Sequence, residues 1–377
     1  MSAWPGKYVI GLTGNIATGK SVVRKMLEHL GAYGIDADAL SHRAIAKGAP
    51  GFEPVVETFG RWIVDAEGHV DRTKLARVVF ADPDALVRLE AIVHPLVREA
   101  VDVLVRRAPQ PVIVIEAIKL LEGELRQATD NIWVTYSPYD QQLARLVRKR
   151  GMSEENARQR IQAQPPQELK LAAANTVIRN EGSFEDTWRQ VVAAWQAIFP
   201  SPEAEPVRQV QVAEGELVVE KARPRQAEEI AEFITRMDLE RSPVTRADIM
   251  AAFGEKAFML LLRNELIVGL VGWQVENLVA RTADVYLEPD IPADEALRVL
   301  MEEVERASRE LQCEASLLFL SPQLARQESV WRKLHYEQRE PQTLGVRAWQ
   351  EAAVESRPNG EVLLFKQLRV DRVLRPV

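Results

Sequence analysis

Tyr8–Thr13 is an apolar, strand-like run, and Gly14-Asn15-Ile16-Ala17-Thr18-Gly19-Lys20-Ser21 follows it at once, fitting G-x-x-x-x-G-K-[ST]. A helical stripe starts directly afterwards, with Val22, Met26 and Leu30 on one line and Val23 and Leu27 beside it. Strand, glycine-bounded loop, Lys-Ser and helix form the context that gives the short motif a mechanism. Backbone N–H groups of such a loop point inward at an anion, and the helix dipole adds positive potential there. Lys20 then reaches the β- and γ-phosphates, and the Ser21 hydroxyl offers a ligand to Mg²⁺. A chance glycine-rich turn would match the motif without this context. The sequence therefore predicts a nucleotide site over Gly14–Val22, and the open question is where the γ-phosphate goes.

Strand-like and helix-like segments alternate through the first 199 residues, which predicts a parallel sheet with helices on both faces. The clearest strands are Tyr8–Thr13, Ala32–Asp36, Val112–Glu116, Asn131–Thr135 and Thr176–Arg179. A mostly helical insertion separates the second from the third. Within it, Asp82-Pro83 opens a long amphipathic helix carrying Leu86, Leu89, Val93, Leu96 and Val97, and Pro95 predicts a kink or break near His94. Ser137-Pro138 is expected to cap another helix, and Ser183 with Asp186 forms a capping-box pattern for one that ends near Phe199.

Pro200-Ser201-Pro202-Glu203-Ala204-Glu205-Pro206 has no apolar periodicity and reads as a linker. The expected division is 1–200, a linker over 201–216, and a second unit over 217–377. The second unit is read as a strand at Leu217–Lys221, helices near Pro224–Met237 and Thr245–Phe253, and strands at Ala257–Leu262, Leu266–Val275 and Ala280–Leu287. A long helix near Pro292–Leu311, a strand at Ala315–Leu320, a helix near Gln323–Leu334 and a strand at Val362–Leu368 complete a mixed α/β pattern.

A chain of 377 residues suits two such units. Its net charge of −7 argues weakly against a general nucleic-acid binder. Cys313 is the single cysteine, which excludes a disulfide framework or thiolate cluster and suits a buried small residue. No apolar run approaches the roughly 20 residues that span a bilayer. Met1–Tyr8 runs straight into the first strand and leaves no room for a signal peptide. A cytoplasmic enzyme acting on a small molecule, with no nucleic acid and no membrane, is expected; the oligomeric state is left open.

A phosphoryl-transfer centre needs a phosphate cradle, a carboxylate near the metal, a group that orients the acceptor, and positive charge around the transferring group. Val112–Glu116 is an apolar strand ending in a carboxylate, and in a parallel sheet that end lies on the edge where the loop lies. Glu116 is thus placed to hold a metal-bound water, or is a plain strand-end acid. The second strand ends in Asp36-Ala37-Asp38, and alternation sends 36 and 38 the same way if the strand continues. Asp38 reads as a base for the acceptor hydroxyl, or as a helix cap. Gln142–Arg150 carries Arg145, Arg148, Lys149 and Arg150 on a helix, with Arg158 and Arg160 beyond. Such segments close over phosphates or form a solvated cationic face; for Arg145, one helical turn after Gln142 and four residues before Lys149, the functional reading is favoured.

Residues 8–199 resemble the dephospho-CoA kinase family. The resemblance rests on the loop, Ile35-Asp36-Ala37-Asp38, Gly48-Ala49-Pro50, Phe59-Gly60 and Asp71-Arg72-Thr73-Lys74-Leu75. It continues in Val79-Phe80-Ala81-Asp82-Pro83, Leu89-Glu90, His94-Pro95, Gln142 with Arg145-Leu146, Gln164 and Asn180. It implies a P-loop NTPase fold, a three-layer α/β/α parallel sheet with a helical insertion and a lid. It implies transfer of the ATP γ-phosphate to the ribose 3′-hydroxyl of dephospho-CoA, with Mg²⁺, giving CoA and ADP. Asp38 stands at the family's proposed base. Asp36, Arg72, Lys74, His94 and Glu116 fall on the acceptor-binding side, Arg145 and Lys149 in the lid over ATP, and Asn180 in the loop near the adenine.

Several positions depart from the family pattern. Asn15 and Ala17 replace glycines; Ala17 is tolerable with a negative φ, while Asn15 accepts a left-handed backbone. Glu116-Ala117-Ile118-Lys119-Leu120-Leu121-Glu122 stands where the family reads D-x-P-L-L-F-E, and Lys119 is expected to pair with Glu116 or Glu122 or to touch a phosphate. Lys149 stands for an arginine and Asn175 for an aspartate. No chemical part is lost, so an active kinase is expected. Two other readings stay open: a P-loop kinase for another small-molecule or nucleotide hydroxyl, and a non-catalytic nucleotide- or CoA-binding regulator.

The order of elements over 217–368 resembles the GCN5-related acetyltransferase fold, supported by Lys221–Ile230, Leu266-Ile267-Val268-Gly269 and Ser329–Tyr336. The family's glycine-containing pyrophosphate turn is replaced by Leu287-Glu288-Pro289-Asp290-Ile291-Pro292-Ala293-Asp294-Glu295, acidic and without glycine. A loop that presents N–H groups to an anion is not lined with carboxylates. The expectation is a degenerate accessory domain without ordinary acetyl transfer, in which Tyr336 is a packed aromatic rather than a general acid.

Overall fold

The computed structural model describes residues 3–200, 215–238, 242–358, 360–371 and 373–374, without the side chains of residues 149 and 150. The expected linker, 201–216, lies outside the described residues except for Gly215 and Glu216.

The first sheet has five strands, β1 (Tyr8–Thr13), β2 (Tyr33–Asp36), β3 (Val112–Glu116), β4 (Asn131–Tyr136) and β5 (Thr176–Arg179). They run in the order β2-β3-β1-β4-β5, every pair parallel. β3 is buried at all five residues, as a central strand covered on both faces must be. Alternation sorts the side chains. Val9, Ile113 and Ile115 pack with the helices Ala37–Ala44 and Pro83–Arg107, while Ile10, Leu12, Val114 and Trp133 pack with Lys20–His29 and Phe184–Ile198. The result is the three-layer sandwich the sequence predicts. The register sets Glu116 level with Leu12 on one side and Asp36 on the other, so the ends of β1, β2 and β3 share one edge.

The helical insertion holds Phe52–Phe59, Arg72–Ala81 and Pro83–Arg107. Of the kink or break expected near His94, the break does not occur, since the last helix runs its full 25 residues. Proline removes the bond to the carbonyl four residues earlier, and here both Ala91 and Pro95 face solvent, so that carbonyl is not buried without a partner. Pro138 sits one position before the helix Tyr139–Arg150 rather than inside its first turn.

The second sheet has seven strands: β6 (Leu217–Lys221), β7 (Ala257–Arg263), β8 (Leu266–Glu276), β9 (Val279–Leu287), β10 (Ala315–Leu320), β11 (Glu337–Gln338) and β12 (Val362–Gln367). Their order is β11-β12-β10-β9-β8-β7-β6, antiparallel except for the parallel β9–β10 pair. Asn264 and Glu265 both take positive φ, as a two-residue hairpin between right-twisted strands requires. The expected element order holds, with two differences. The helix near Gln323–Leu334 is two short ones, Pro322–Ala325 and Glu328–Lys333, and β11 and a helix at Arg347–Ser356 were not anticipated. That helix buries Trp349, Ala352 and Ala353, and alanines give a weak apolar stripe.

The later half packs against the β2 edge of the first sheet and the helices Lys20–His29 and Ala37–Ala44 beside it. Leu278 and Leu374 join the apolar cluster of Val9, Tyr33 and Leu104. Lys25 Nζ donates to the Val275 carbonyl (2.8 Å), and Arg43 donates to the Glu314 carboxylate (2.6 Å) and the Asn277 carbonyl (2.8 Å). Among the described residues no helix is long and apolar enough to cross a membrane.

Candidate active site

The loop after β1 is shaped by two glycines. Gly19, at φ +92°, begins the helix Lys20–His29, and a Cβ there would collide with the Asn180 amide; a Cβ on Gly14 would collide with Thr135. The substituted positions behave differently from expectation. Ala17, not Asn15, takes the left-handed conformation, at φ +59°, which costs an L-residue about 1–2 kcal/mol. Asn15 is buried and sends its side-chain amide to the Pro165 carbonyl (2.9 Å). The Ile16 N–H donates to Gln164 Oε1 (2.6 Å), so the segment after the helices Tyr139–Arg150 and Glu154–Gln162 staples the loop from outside. Thr18 Oγ1 donates to the Asn15 carbonyl (2.8 Å), and Lys20 Nζ rests on the carbonyls of Gly14 and Asn15 (3.1 and 3.2 Å).

Glu116 is 4% exposed and joins the loop helix to the sheet edge. Its Oε1 accepts from Ser21 Oγ (2.9 Å) and its Oε2 from Arg24 Nε (2.8 Å). Arg24 also pairs with Glu28 (2.7 Å).

Asp36 and Asp38 do not share a direction, because β2 stops at Asp36 and a helix begins at Ala37. Residues two apart on a helix point roughly 200° from each other. Asp36 caps that helix through Ala39 N (2.8 Å); burial, then Glu116, push its carboxyl up to about 6 against Arg24. Asp38 accepts from the Ile118 N–H (3.1 Å). Burial raises its pKa above the usual carboxylate range, while Lys20 and that N–H act the other way.

Arg145 and Asn180 close the other flank. Arg145 donates to the carbonyls of Ala17 (3.0 Å) and Asn180 (2.8 Å) and to Ser137 Oγ (2.8 Å), and burial lowers its pKa. Asn180 Nδ2 donates to the Thr18 carbonyl (3.1 Å). The side chain of Lys149 lies outside the described residues. Arg158 is an exposed partner of Glu154.

Hydrogen bonds thus bring together the loop, Asp38, Glu116, Arg145 and Asn180. Arg72, Lys74 and His94 stand apart on the insertion helices. Arg72 pairs loosely with Glu351 (3.7 Å), Lys74 donates to the Trp62 carbonyl (3.1 Å), and His94 is exposed. One link connects the groups: Arg72, after burial, pushes the pKa of His42 down, and His42 lies on the Asp38 helix. Lys119 pairs with Glu90 (2.5 Å), not with Glu116, Glu122 or the phosphate side.

Sequence reading missed Lys170. It is 3% exposed, and its ammonium donates to the Ile118 carbonyl (2.6 Å), which also accepts from Thr13 Oγ1 (3.1 Å). A lysine on a short helix carries no periodic signal; its position six residues after Gln164, which holds the loop, was the available clue.

Comparison with known proteins bears on this edge. The family model described as dephospho-CoA kinase matches residues 8–186. The curated dephospho-CoA kinase of Geobacter metallireducens is 43% identical over 191 residues, 50% of this chain and 95% of that protein. The curated dephospho-CoA kinase of Aquifex aeolicus is 41% identical over 194 residues, 51% of this chain and 98% of its own length. For the later half, a solved GNAT-family acetyltransferase from Staphylococcus aureus Mu50 is similar at 13% identity and a TM-score of 0.32, covering 41% of this chain and 100% of that one. The match spans the loop, the Asp38 helix, the insertion and the lid over nearly the full length of these relatives, and the chain therefore belongs to the dephospho-CoA kinase family.

Proposed function

We propose that this chain transfers the γ-phosphoryl group of ATP to the ribose 3′-hydroxyl of dephospho-CoA, giving CoA and ADP. The observation that carries the reading is the position of Asp38, held by the Ile118 N–H on the edge where the phosphate loop and Lys20 end. Asp38 takes the proton of the acceptor hydroxyl. The new oxygen–phosphorus bond forms as the bond to the β–γ bridging oxygen breaks, and ADP carries away the electron pair. Gly14–Val22 cradles the phosphates, Lys20 and the lid residues Arg145 and Lys149 balance their charge, and Asn180 borders the nucleotide. Arg72, Lys74 and His94 serve the acceptor side; Asp36 serves it through the cap it gives the Asp38 helix.

Mg²⁺ fits the donors present. Ser21 Oγ and Glu116 Oε1 lie 2.9 Å apart, both hard oxygens, and among the described residues no cluster of three acidic, His or Cys side chains forms a closed cage. Mg²⁺ keeps several waters and shares phosphate oxygens, so two protein oxygens suit it. Ser21 would bind it directly and Glu116 through water, and it would supply charge neutralisation at the β- and γ-oxygens.

The kinase unit is assigned to 1–200 and the accessory unit to 217–377, in a cytoplasmic setting where ATP is at hand. The accessory unit is read as lacking ordinary acetyl transfer. Its turn before the helix Ala293–Glu310 carries Glu288 paired with Arg236 and Asp290 paired with Arg263 (both 2.7 Å). Tyr336 is packed under Trp331 with its hydroxyl on Ser316 (2.8 Å). ADP release by the full chain with ATP and dephospho-CoA tests the kinase assignment. Turnover with another alcohol alone would select a different acceptor, and binding without turnover would select a regulator.

A further inference from the structure

We propose that Lys170 is a second catalytic lysine of this centre, its ammonium contacting the transferring phosphoryl group alongside Lys20. The proposal rests on the kinase reading above and adds a residue to it.

Three observations support the role. The first is delivery. Gln164 and Pro165 bind the phosphate loop through Ile16 and Asn15, and the helix Gln167–Ala172 follows at once, so the segment that staples the loop also sets Lys170. The second is convergence on Ile118. The N–H of this residue holds Asp38, and its carbonyl holds both Lys170 and Thr13, the last residue of β1. The base, the end of the loop strand and the buried lysine thus meet at one residue. The third is the unmet capacity of the ammonium. It carries three N–H donors, and among the described residues it has one acceptor, the Ile118 carbonyl. Asp38 and Glu122 attract it through space without an ion pair to either, and Lys20 repels it.

A buried ammonium in that state is a poor structural element. An apolar side chain of similar length would fill the space without the desolvation penalty. The arrangement becomes favourable once an anion lies between the two lysines, and a phosphoryl group gaining charge on its equatorial oxygens is such an anion. A cation already in place when that charge develops lowers the barrier without reorganisation.

The test uses the full chain as wild type, K170M and K170R, with ADP release measured against both substrates and ATP binding followed by titration. K170M is expected to lower kcat by about 10²–10³-fold, the usual loss for one preorganised donor, with ATP affinity and both KM values within about threefold. K170R is expected to recover at least tenfold of that loss, because it restores charge and donors. A K170M kcat within about threefold of wild type overturns the proposal. So does a rise in KM at unchanged kcat, which would mark uniform binding, or loss of ATP binding together with an equally inactive K170R, which would mark a structural role. Failure of the kinase reading shows separately, in the wild type: turnover confined to another alcohol moves the same comparison to that alcohol, and no turnover with any acceptor removes both.

Discussion

Asp36 and Asp38 are separated by one alanine, yet one caps a helix against Arg24 and the other faces the phosphate loop. A substitution at each should therefore report different things. D38N is expected to lower kcat by about 10²–10⁴-fold while ATP binding stays near wild type, because the amide cannot take a proton. Burial raises the Asp38 pKa, and the base works only when ionised. Activity should rise with pH through a value above the usual carboxylate range and fall as pH drops below it. A pH profile of kcat/KM checks this, and an acid limb at ordinary carboxylate pH would remove Asp38 from the role. At this scale the motif residues were legible, since Gly14, Gly19, Lys20, Ser21 and Asp38 carry chemistry in their spacing. Lys170 and Arg24 were not, because their partners lie 52 and 92 residues away and nothing local marks them. The backbone of Ala17 was misjudged for a related reason: outside contacts from Arg145 and Gln164 set the loop's path, and propensity yields to them.

The helix Lys20–His29 starts at the phosphate loop and ends against the later half, where His29 Nε2 donates to the Phe253 carbonyl (2.8 Å). Burial, then Lys221, push the imidazole down to about 4. A histidine held neutral in the fold but free to protonate when unfolded gives stability that is present above its ordinary value near 6.5. That stability is lost as pH falls toward 4. Between pH 7.5 and pH 5 this group should cost the fold about 2 kcal/mol. H29Q keeps an N–H donor and removes the titration, so urea unfolding at the two pH values should show a smaller acid loss than wild type. An equal loss in both would place the acid sensitivity elsewhere. The helix Lys20–His29 was readable because its buried stripe carries large apolar side chains, Val23, Met26 and Leu27. The helix Arg347–Ser356 was not, its buried face being one tryptophan and two alanines, and the absence of a break at Pro95 was not, because sequence does not say which face of a helix meets water.

Across the whole molecule, the two halves meet through buried charge as well as apolar contact. The Glu314 side chain is 1% exposed and both its oxygens accept from Arg43. Breaking a buried pair by removing one partner typically costs about 3–5 kcal/mol, since the other charge is left desolvated. R43M should lower the denaturation free energy by that amount, and pairing it with E314Q should recover part of the loss. A drop below about 1 kcal/mol would mean that Glu314 finds water or another partner. The two sheets themselves were legible from strand alternation, but their docking was not. The residues that make it, Lys25, His29, Arg43 and Glu314, are ordinary charged or polar residues on helices and strand starts, indistinguishable in sequence from a solvated face.

The pairing of Arg43 with Glu314 bears on how such a chain can change by recombination. A first half exchanged from a shorter kinase would have to bring an arginine to position 43, and an aromatic to position 33 beneath Leu311, or bury an orphan carboxylate beside a gap. The two halves are joined by matched interior residues as well as by the backbone, so neither is a free cartridge, and exchange at the 201–216 junction succeeds only when both sides of the match move together.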